Sequence, residues 1–230
     1  MNYKIILNEQ TLKEFIDSLP DDKVGEGFYV SLISRSKYLP IKTIRDSEPK
    51  KFVCKKKDLF YSIKQLECPL DSYRYRNASI PQESLALYIN PNPRNYNKAI
   101  KKLQHSLIDL KDIGPNFELS RYVIKHISTS RSLVSFVDFD FDNIPLTRLL
   151  ELLRGRINFS AFKILETRGG FHVLVNVNNV DSVYKKSWFN TLSSLVEVDS
   201  VGDQMIPVPG TSQGMFMPKF LNLLNLNDDN

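Results

Sequence analysis

The sequence is poor in the residues that build disulfide frameworks and zinc sites. It contains only two cysteines, Cys54 and Cys68, and three histidines among 230 residues. The two cysteines lie apart from one another and from any histidine at zinc-ligand spacing. This excludes a zinc finger and a disulfide-rich scaffold, so both residues are expected to be ordinary thiols. The histidines are also far apart along the chain, and no His-x-His pair is present.

Long apolar runs are missing as well. No segment approaches the roughly 18 consecutive apolar residues of a membrane span. The amino-terminal sequence MNYKIILNEQ lacks the longer apolar region and the small-residue cleavage site of a signal peptide. We therefore expect an intracellular, cytoplasmic protein with no membrane partner, or one of a host cytoplasm if a mobile element encodes it. With 42% hydrophobic residues, the chain can build a sizeable core in one large domain or two fused modules.

The charge is unevenly distributed along the chain. The net charge is +5 and the sequence pI is about 9.0, which favours a polyanionic partner. Basic residues interleaved with aromatics suit a phosphate backbone and stacked bases, although a charge run is more often a solvated face. The basic residues gather in three stretches: Lys50, Lys51, Lys55, Lys56 and Lys57; Arg74 and Arg76, which alternate with Tyr73 and Tyr75; and Lys98, Lys101 and Lys102.

One apolar run, LVSFVDFDFD at 133–142, turns acidic at alternate positions. In a strand, successive side chains point to opposite faces, so Asp138, Asp140 and Asp142 share one face. Carboxylates held this close repel and raise each other's proton affinity unless a cation lies between them. Oxygen ligands of this kind suit Mg²⁺ or Mn²⁺. Taken alone, the pattern more often marks solvated acids at a strand end.

The order of predicted elements indicates an α+β fold. The first half contains both helices and strands. Pro91 and Pro93 predict an exposed turn there after a buried strand, and Tyr122 to Ile127 fits a strand or a helix. From the acidic strand onward the order is β-α-β-β-α-β, which is that of a ferredoxin-like or RRM-like unit. The predicted boundaries are an amino-terminal α/β module with basic patches at 1–128, an RRM-like module at 129–221 and a short polar tail at 222–230.

Two further stretches concentrate polar chemistry. In the first, RGGFH at 168–172, a glycine turn joins two predicted strands and places Arg168 near His172, where both can offer donors to a phosphate. The second runs from Val196 into a Gly-Thr-Ser-Gln-Gly loop and carries Asp199 and Asp203, either of which could complete a carboxylate cluster. Each stretch by itself is more often a turn than a site.

Together, these stretches resemble the archaeo-eukaryotic primase superfamily, which includes primase-polymerases. That family is marked by hhhDhD at a strand end, a small-x-His motif on a following strand and a later hD. Here Phe136-Val-Asp138-Phe-Asp140, Gly170-Phe-His172 and Val198-Asp199 are similar to the three motifs, in the same order. The resemblance covers about 133–219, and the first half matches only loosely, through Tyr88-Ile-Asn-Pro-Asn-Pro-Arg94.

The resemblance implies an RRM-like catalytic module packed on the amino-terminal module, with the activity of a DNA primase or primase-polymerase. Asp138, Asp140 and Asp199 would hold one or two Mg²⁺ or Mn²⁺ ions, and His172 would contact the incoming nucleoside triphosphate. Single-stranded DNA would be the template, with a helicase or an accessory replication protein as a further partner. Local chemistry adds further candidate phosphate contacts, namely Arg168, Thr211, Gln213 and Lys219.

Three alternatives remain open from the sequence. The chain could be a degenerate family member that binds nucleic acid or nucleotide without synthesis, a metal-dependent nuclease, or an unrelated RRM-like RNA binder. The RNA binder is disfavoured because aspartates stand where an RRM carries base-stacking aromatics. Asp199 and Asp203 compete for the role of third acid, and Asp199 is preferred because it follows an apolar run. Asp142 is the acid least expected to matter.

Overall fold

The computed structural model describes residues 1–41, 44–108 and 118–222 and is a mixed α+β structure. Within these ranges, no helix is both long and apolar enough to cross a membrane. The helices are α1 (Glu9–Ser18), α2 (Leu59–Lys64), α3 (Tyr96–Ile108), α4 (Leu119–Ser128), α5 (Leu146–Leu153) and α6 (Trp188–Ser193). The strands are β1 (Glu26–Ser34), β2 (Ser47–Cys54), β3 (Arg74–Tyr75), β4 (Ala78–Ser79), β5 (Leu85–Ile89), β6 (Arg94–Asn95), β7 (Phe136–Asp142), β8 (Phe162–Glu166), β9 (Gly170–Asn176), β10 (Ser200–Gly202), β11 (Ile206–Pro207) and β12 (Lys219–Phe220).

The first sheet has the strand order β11-β5-β1-β2, and β6 pairs with the start of β1. All of these pairs are antiparallel. Alternate residues of β1, namely Phe28, Val30 and Leu32, enter a core that also contains Leu12 of α1 and Leu59 of α2. The two helices therefore cover one face of the sheet.

The second sheet has the order β10-β7-β9-β8-β12 and is antiparallel throughout. On its outer face, Phe139 and Phe141 of β7 pack in a second core with Leu149 of α5 and Trp188 and Leu192 of α6. Side chains directly opposite one another on antiparallel strands lie on the same face. The aspartates of β7 alternate with these phenylalanines, so they belong to the inner face.

The inner face of the second sheet packs against the first half of the chain. Leu165 of β8 and Leu174 of β9 belong to the first core, together with Leu12 and Phe28. Phe136, at the start of β7, packs against the same core. The acidic residues that follow Phe136 are therefore placed at the boundary between the two halves.

The prediction of an α+β chain is confirmed, and several elements lie where the sequence placed them. The hairpin of β8 and β9 is present, and the ambiguous stretch from Tyr122 to Ile127 is helical, as part of α4. The helix expected from Asn95 to about Leu110 corresponds to α3, which the structure describes over Tyr96–Ile108. The rest of that prediction, with the stop at Gly114-Pro115, and the tail at 223–230 lie outside the described residues.

The predicted exposed turn at residues 91–94 is wrong. Residues Pro91 to Arg94 are all buried. The prediction rested on the inability of proline to donate a ladder hydrogen bond, which is correct locally. It did not foresee that Asn92 bonds the backbone of Ser135 and Phe136 in the second half. This turn is a contact between the halves.

The chain crosses back to the first sheet near its end. Ile206 pairs with Ile89, and Pro207 pairs with Tyr88, which makes β11 an edge strand of the first sheet. The last strand of the β-α-β-β-α-β unit is β10, which pairs with β7. It has three residues, and the sequence pattern did not indicate it. Apart from β11, the strands of the second sheet follow residue 128 and those of the first sheet precede it.

Close packing between β7 and β9 yields a prediction about Gly170. A Cβ at this position would lie 2.1 Å from the carbonyl oxygen of Phe141, whereas one at Gly169 would meet only the Asp142 carboxylate, at 3.2 Å. Backbone cannot move aside as a flexible side chain can. We expect Gly170→Ala to lower the free energy of unfolding by about 1–3 kcal/mol, measured by urea denaturation. Gly169→Ala is the matched control, and an equal loss in both variants would contradict the packing explanation.

Candidate functional site

Strand β7 presents three carboxylates at increasing exposure. Asp138 is only 1% exposed, Asp140 is half-buried and Asp142 is exposed. The gradient follows the strand, which begins against the first core at Phe136 and ends in solvent. Burial makes a charged carboxylate costly unless it has a partner. Asp138 and Asp140 therefore need a compensating charge, and Asp142 does not.

His172 provides that charge from the neighbouring strand. It lies directly opposite Asp140 in the register of β7 and β9. Its Nδ1 is 2.9 Å from Asp138 Oδ2, and its Nε2 is 3.5 Å from Asp140 Oδ1. Burial of the imidazole lowers its pKa, but the charge of Asp138 and the hydrogen bond to it outweigh burial, and the pKa of His172 is raised. The imidazole thus lies between the two carboxylates, which favour its charged form.

At Asp140 the surroundings favour the neutral form of the side chain, whereas at His172 they favour the charged form. Burial raises the pKa of Asp140, and His172 offsets part of this effect. The charges of Asp138, Asp142 and Asp199 raise the pKa further, so the net shift is upward. A carboxylate pressed toward its neutral form by neighbouring acids is stabilised in its charged form by an added cation.

The donor atoms suit a hard divalent cation. Asp138 Oδ1 is buried and accepts no hydrogen bond from any described residue, so this oxygen has no partner. Across residues 1–41, 44–108 and 118–222, no group of three or more His, Cys, Asp or Glu side chains is already spaced to hold a metal ion. Two carboxylates without a closed protein shell still fit Mg²⁺, which usually keeps several waters and adds substrate phosphates.

The two candidate third acids occupy different environments. Asp199 lies beside β7, where its backbone N–H donates to the Asp140 carbonyl at 2.9 Å and its Oδ2 accepts from the Asp142 N–H at 2.7 Å. Asp203 instead forms an ion pair with Arg94 and accepts a hydrogen bond from Asn92. The carboxylate of Asp203 is thus committed to the first half, and Asp199 is the acid nearer the β7 pair.

Arg168 is anchored at the turn between β8 and β9. Its backbone N–H donates to Gln213 Oε1 at 2.8 Å, and its Nη1 donates to the Gly214 carbonyl at 2.6 Å. Its guanidinium lies over the ring of Tyr38, 4.6 Å from the centroid. Gln213 is therefore a support for the Arg168 turn, and Arg168 keeps further N–H donors for a ligand.

Two of the predicted phosphate contacts lie away from this cluster. Thr211 is fully buried, and its hydroxyl donates to the Val208 carbonyl at 2.8 Å. Lys219 pairs with Glu166, and the cross-strand row through Glu166 continues to Phe171 and Phe141 on the outer face. Its Nζ is 3.4 Å from Glu166 Oε2. The structure brings together Asp138, Asp140, His172 and Asp199, with Arg168 two residues before β9, but not Thr211 or Lys219.

The basic stretches differ in how far they are neutralised. Lys51, Lys55 and Lys56 form ion pairs with acids of the first half. Arg74 and Arg76 belong to the small hairpin of β3 and β4 and are exposed. The free positive charge is therefore lower at the lysine run than the sequence suggests and is retained on the hairpin.

Sequence reasoning missed Asn92, Arg94 and Tyr38 as neighbours of the site. Arg94 is 1% exposed, and Asn92 is fully buried. The available signal was the Asn-Pro-Arg sequence, which places an arginine close to the end of a buried strand. A charged residue that is fully buried nearly always has a partner. Nothing in the local pattern identifies Asp203 as that partner.

Comparison of the chain with protein-family models, with curated proteins and with solved structures finds no match in any of the three.

The cluster predicts a specific response to divalent metal. Replacement of Asp140 by Asn removes like-charge repulsion in the absence of metal, so we expect the Asp140→Asn variant to have a higher melting temperature than the wild type in EDTA. Mn²⁺ should raise the melting temperature of the wild type but not that of this variant, because one of the two carboxylates that would bind the ion is lost.

Asp142→Asn is the matched control, since Asp142 lies on the same strand and face but is exposed. We expect it to keep the response to Mn²⁺. An equal Mn²⁺ response in all three proteins would place the ion elsewhere.

Proposed function

We propose that this protein is a metal-dependent nucleotidyltransferase of the primase or primase-polymerase type, which makes or extends primers on a single-stranded DNA template. The observation that carries the proposal is that Asp138, Asp140 and His172 lie together on the inner face of the second sheet, with Asp199, from a third segment, held against the end of β7. The motifs that resemble the archaeo-eukaryotic primase superfamily are thus neighbours in space as well as ordered in sequence.

The arrangement of the second half supports the same proposal. Strands β10-β7-β9-β8 follow the order of a split β-α-β unit, with α5 and α6 packed on the outer face. We infer an RRM-like catalytic module whose inner face meets an amino-terminal α/β module. In this arrangement a substrate would enter between the halves, where the acids lie.

The proposed roles follow from the contacts. Asp138 and Asp140 would hold Mg²⁺ or Mn²⁺ through the unused Asp138 Oδ1 and the exposed part of the Asp140 carboxylate, with Asp199 as the third acid. A bound ion would neutralise triphosphate charge and favour ionisation of an attacking 3′-hydroxyl. His172, held by Asp138 and poised as a cation, would meet the triphosphate. Arg168 would add guanidinium donors from the adjacent turn, with Gln213 fixing its backbone.

The partners in this proposal are nucleoside triphosphates and single-stranded DNA, with a helicase or an accessory replication protein as a possible recruiter. The exposed arginines of the β3–β4 hairpin, Arg74 and Arg76, are the basic residues best placed to contact a phosphate backbone. Thr211 and Lys219 are left out of the nucleotide site, because the first is buried and the second lies on the outer face.

A degenerate binder or a nuclease would use the same surface with a different outcome. A nuclease needs the same metal and acids but shortens a labelled strand, whereas a polymerase lengthens it. A degenerate member would bind DNA and leave its length unchanged. Product length on one labelled template therefore separates the three.

Replacement of the paired acids should abolish synthesis. We expect Asp138→Asn and Asp140→Asn each to lower nucleotide incorporation by about 100-fold or more, because the charge that holds the metal is lost. Template affinity should change little, since neither acid offers a positive charge to DNA. The assay uses single-stranded template, Mn²⁺ or Mg²⁺ and labelled nucleotides, with and without a primer.

Asp142→Asn serves as the control and should retain most of the activity. If the wild type binds DNA but yields no product in either condition, the degenerate binder replaces the polymerase. Shortened template would instead favour the nuclease.

His172 should affect nucleotide use more than template binding. We expect His172→Ala to raise the KM for nucleotide by about tenfold or more, since a cation facing the triphosphate is removed, while the Kd for template stays within about twofold. His105→Ala, on an exposed part of α3, is the control. A larger effect on template than on nucleotide would remove His172 from the triphosphate site.

A further inference from the structure

Beneath the proposed active site, a buried polar network joins the two halves of the chain. Arg94 Nη2 donates to Asp203 Oδ1 at 3.0 Å, and a second guanidinium nitrogen contacts Oδ2, so the pair is bidentate. Arg94 is 1% exposed, and its Nε–H donates to no partner among the described residues. Burying such a pair costs desolvation free energy, and hydrophobic residues often substitute for it without loss of stability. Its presence therefore calls for a role other than stability alone.

Asn92 extends the network to the strand that carries the paired acids. Its Oδ1 accepts from the N–H groups of Ser135 and Phe136, and its Nδ2 donates to the Phe136 carbonyl at 2.8 Å. Nδ2 also donates to Asp203 Oδ1 at 2.9 Å. One amide thus holds the start of β7, two residues before Asp138, and also holds the carboxylate that follows β10.

Asp203 lies at the end of the segment that carries the third acid. Gly202, its neighbour, pairs with Asp138, and Ser200 pairs with Asp140. Asp199 precedes this three-residue strand and contacts β7 at Asp140 and Asp142. A strand of three residues has few ladder hydrogen bonds to fix it, so its position depends on how its two ends are held.

We propose that Asn92, Arg94 and Asp203 form a positioning network, in which the first half of the chain fixes β10 and β7 relative to one another and thereby sets the distance from Asp199 to Asp138 and Asp140. The functional consequence rests on the proposed nucleotidyl transfer, whereas the placement of Asp199 can be tested by itself. None of the three residues touches substrate in this scheme. They act through the acids that they position, in the way that residues outside a metal site orient its ligands.

The test removes both charges of the Arg94–Asp203 pair together. A single replacement would leave an uncompensated charge in the interior and endanger folding, so the variant is Arg94→Met with Asp203→Asn. The matched control removes an exposed ion pair of the first half, Lys64 with Glu9, as Lys64→Met with Glu9→Gln. Both are studied as the full chain, without metal or DNA.

Residue-resolved amide hydrogen exchange reports the placement directly. The N–H of Asp142 is held by Asp199 Oδ2, and the N–H of Asp199 is held by Asp140. We expect these two amides to exchange about tenfold faster in the Arg94/Asp203 variant, while Phe139 and Val173 in the sheet keep their rates. The Lys64/Glu9 control should match the wild type at all four. Unchanged exchange at Asp142 and Asp199, or uniformly faster exchange throughout, would overturn the proposal.

Metal affinity and turnover then connect the placement to function. We expect the Arg94/Asp203 variant to bind Mn²⁺ about tenfold more weakly and to lose kcat, with the KM for template nearly unchanged. Normal Mn²⁺ affinity and kcat in a folded variant would mean that the network is structural only. If the wild type itself incorporates no nucleotide, the proposed function fails, and the exchange experiment still decides whether the network positions Asp199.

Discussion

The pairing of β7 with β9 is the constraint on which the site depends. In the observed register, Asp140 faces His172, and Phe139 and Phe141 enter the outer core. A slip of one residue would turn the phenylalanines toward the first half and the aspartates into the outer core. The two backbones approach closely at Gly170, where a Cβ would meet the Phe141 carbonyl oxygen. Packing therefore explains why a glycine stands two positions before His172.

The register also creates an electrostatic conflict. Two carboxylates share one face, and the cationic group that contacts both of them is an imidazole whose charge depends on pH. An apolar pair at these positions would make a more stable sheet, because buried charges are costly even when paired. Stability given up at a cluster of acids is typical of a functional site. This is why we favour a metal and nucleotide site over a structural ion pair.

The two halves of the chain are interdependent. Strand β11 comes from the end of the sequence and completes the first sheet, while Asn92 and Arg94 come from the first half and hold the segments around β7 and β10. The candidate site lies where these exchanges meet. Neither half by itself contains all the groups that place Asp199 beside Asp140.

The sequence by itself determined the α+β class, the strand that carries Asp138 and Asp140, and the hairpin that carries His172, because alternation and glycine turns act over a few residues. Tertiary structure alone decided that Asp203 pairs with Arg94 and that residues 91–94 are buried. It also placed Lys219 on the outer face and enclosed Thr211. These features depend on which segments meet in space, and a local pattern carries no information about a partner far along the chain.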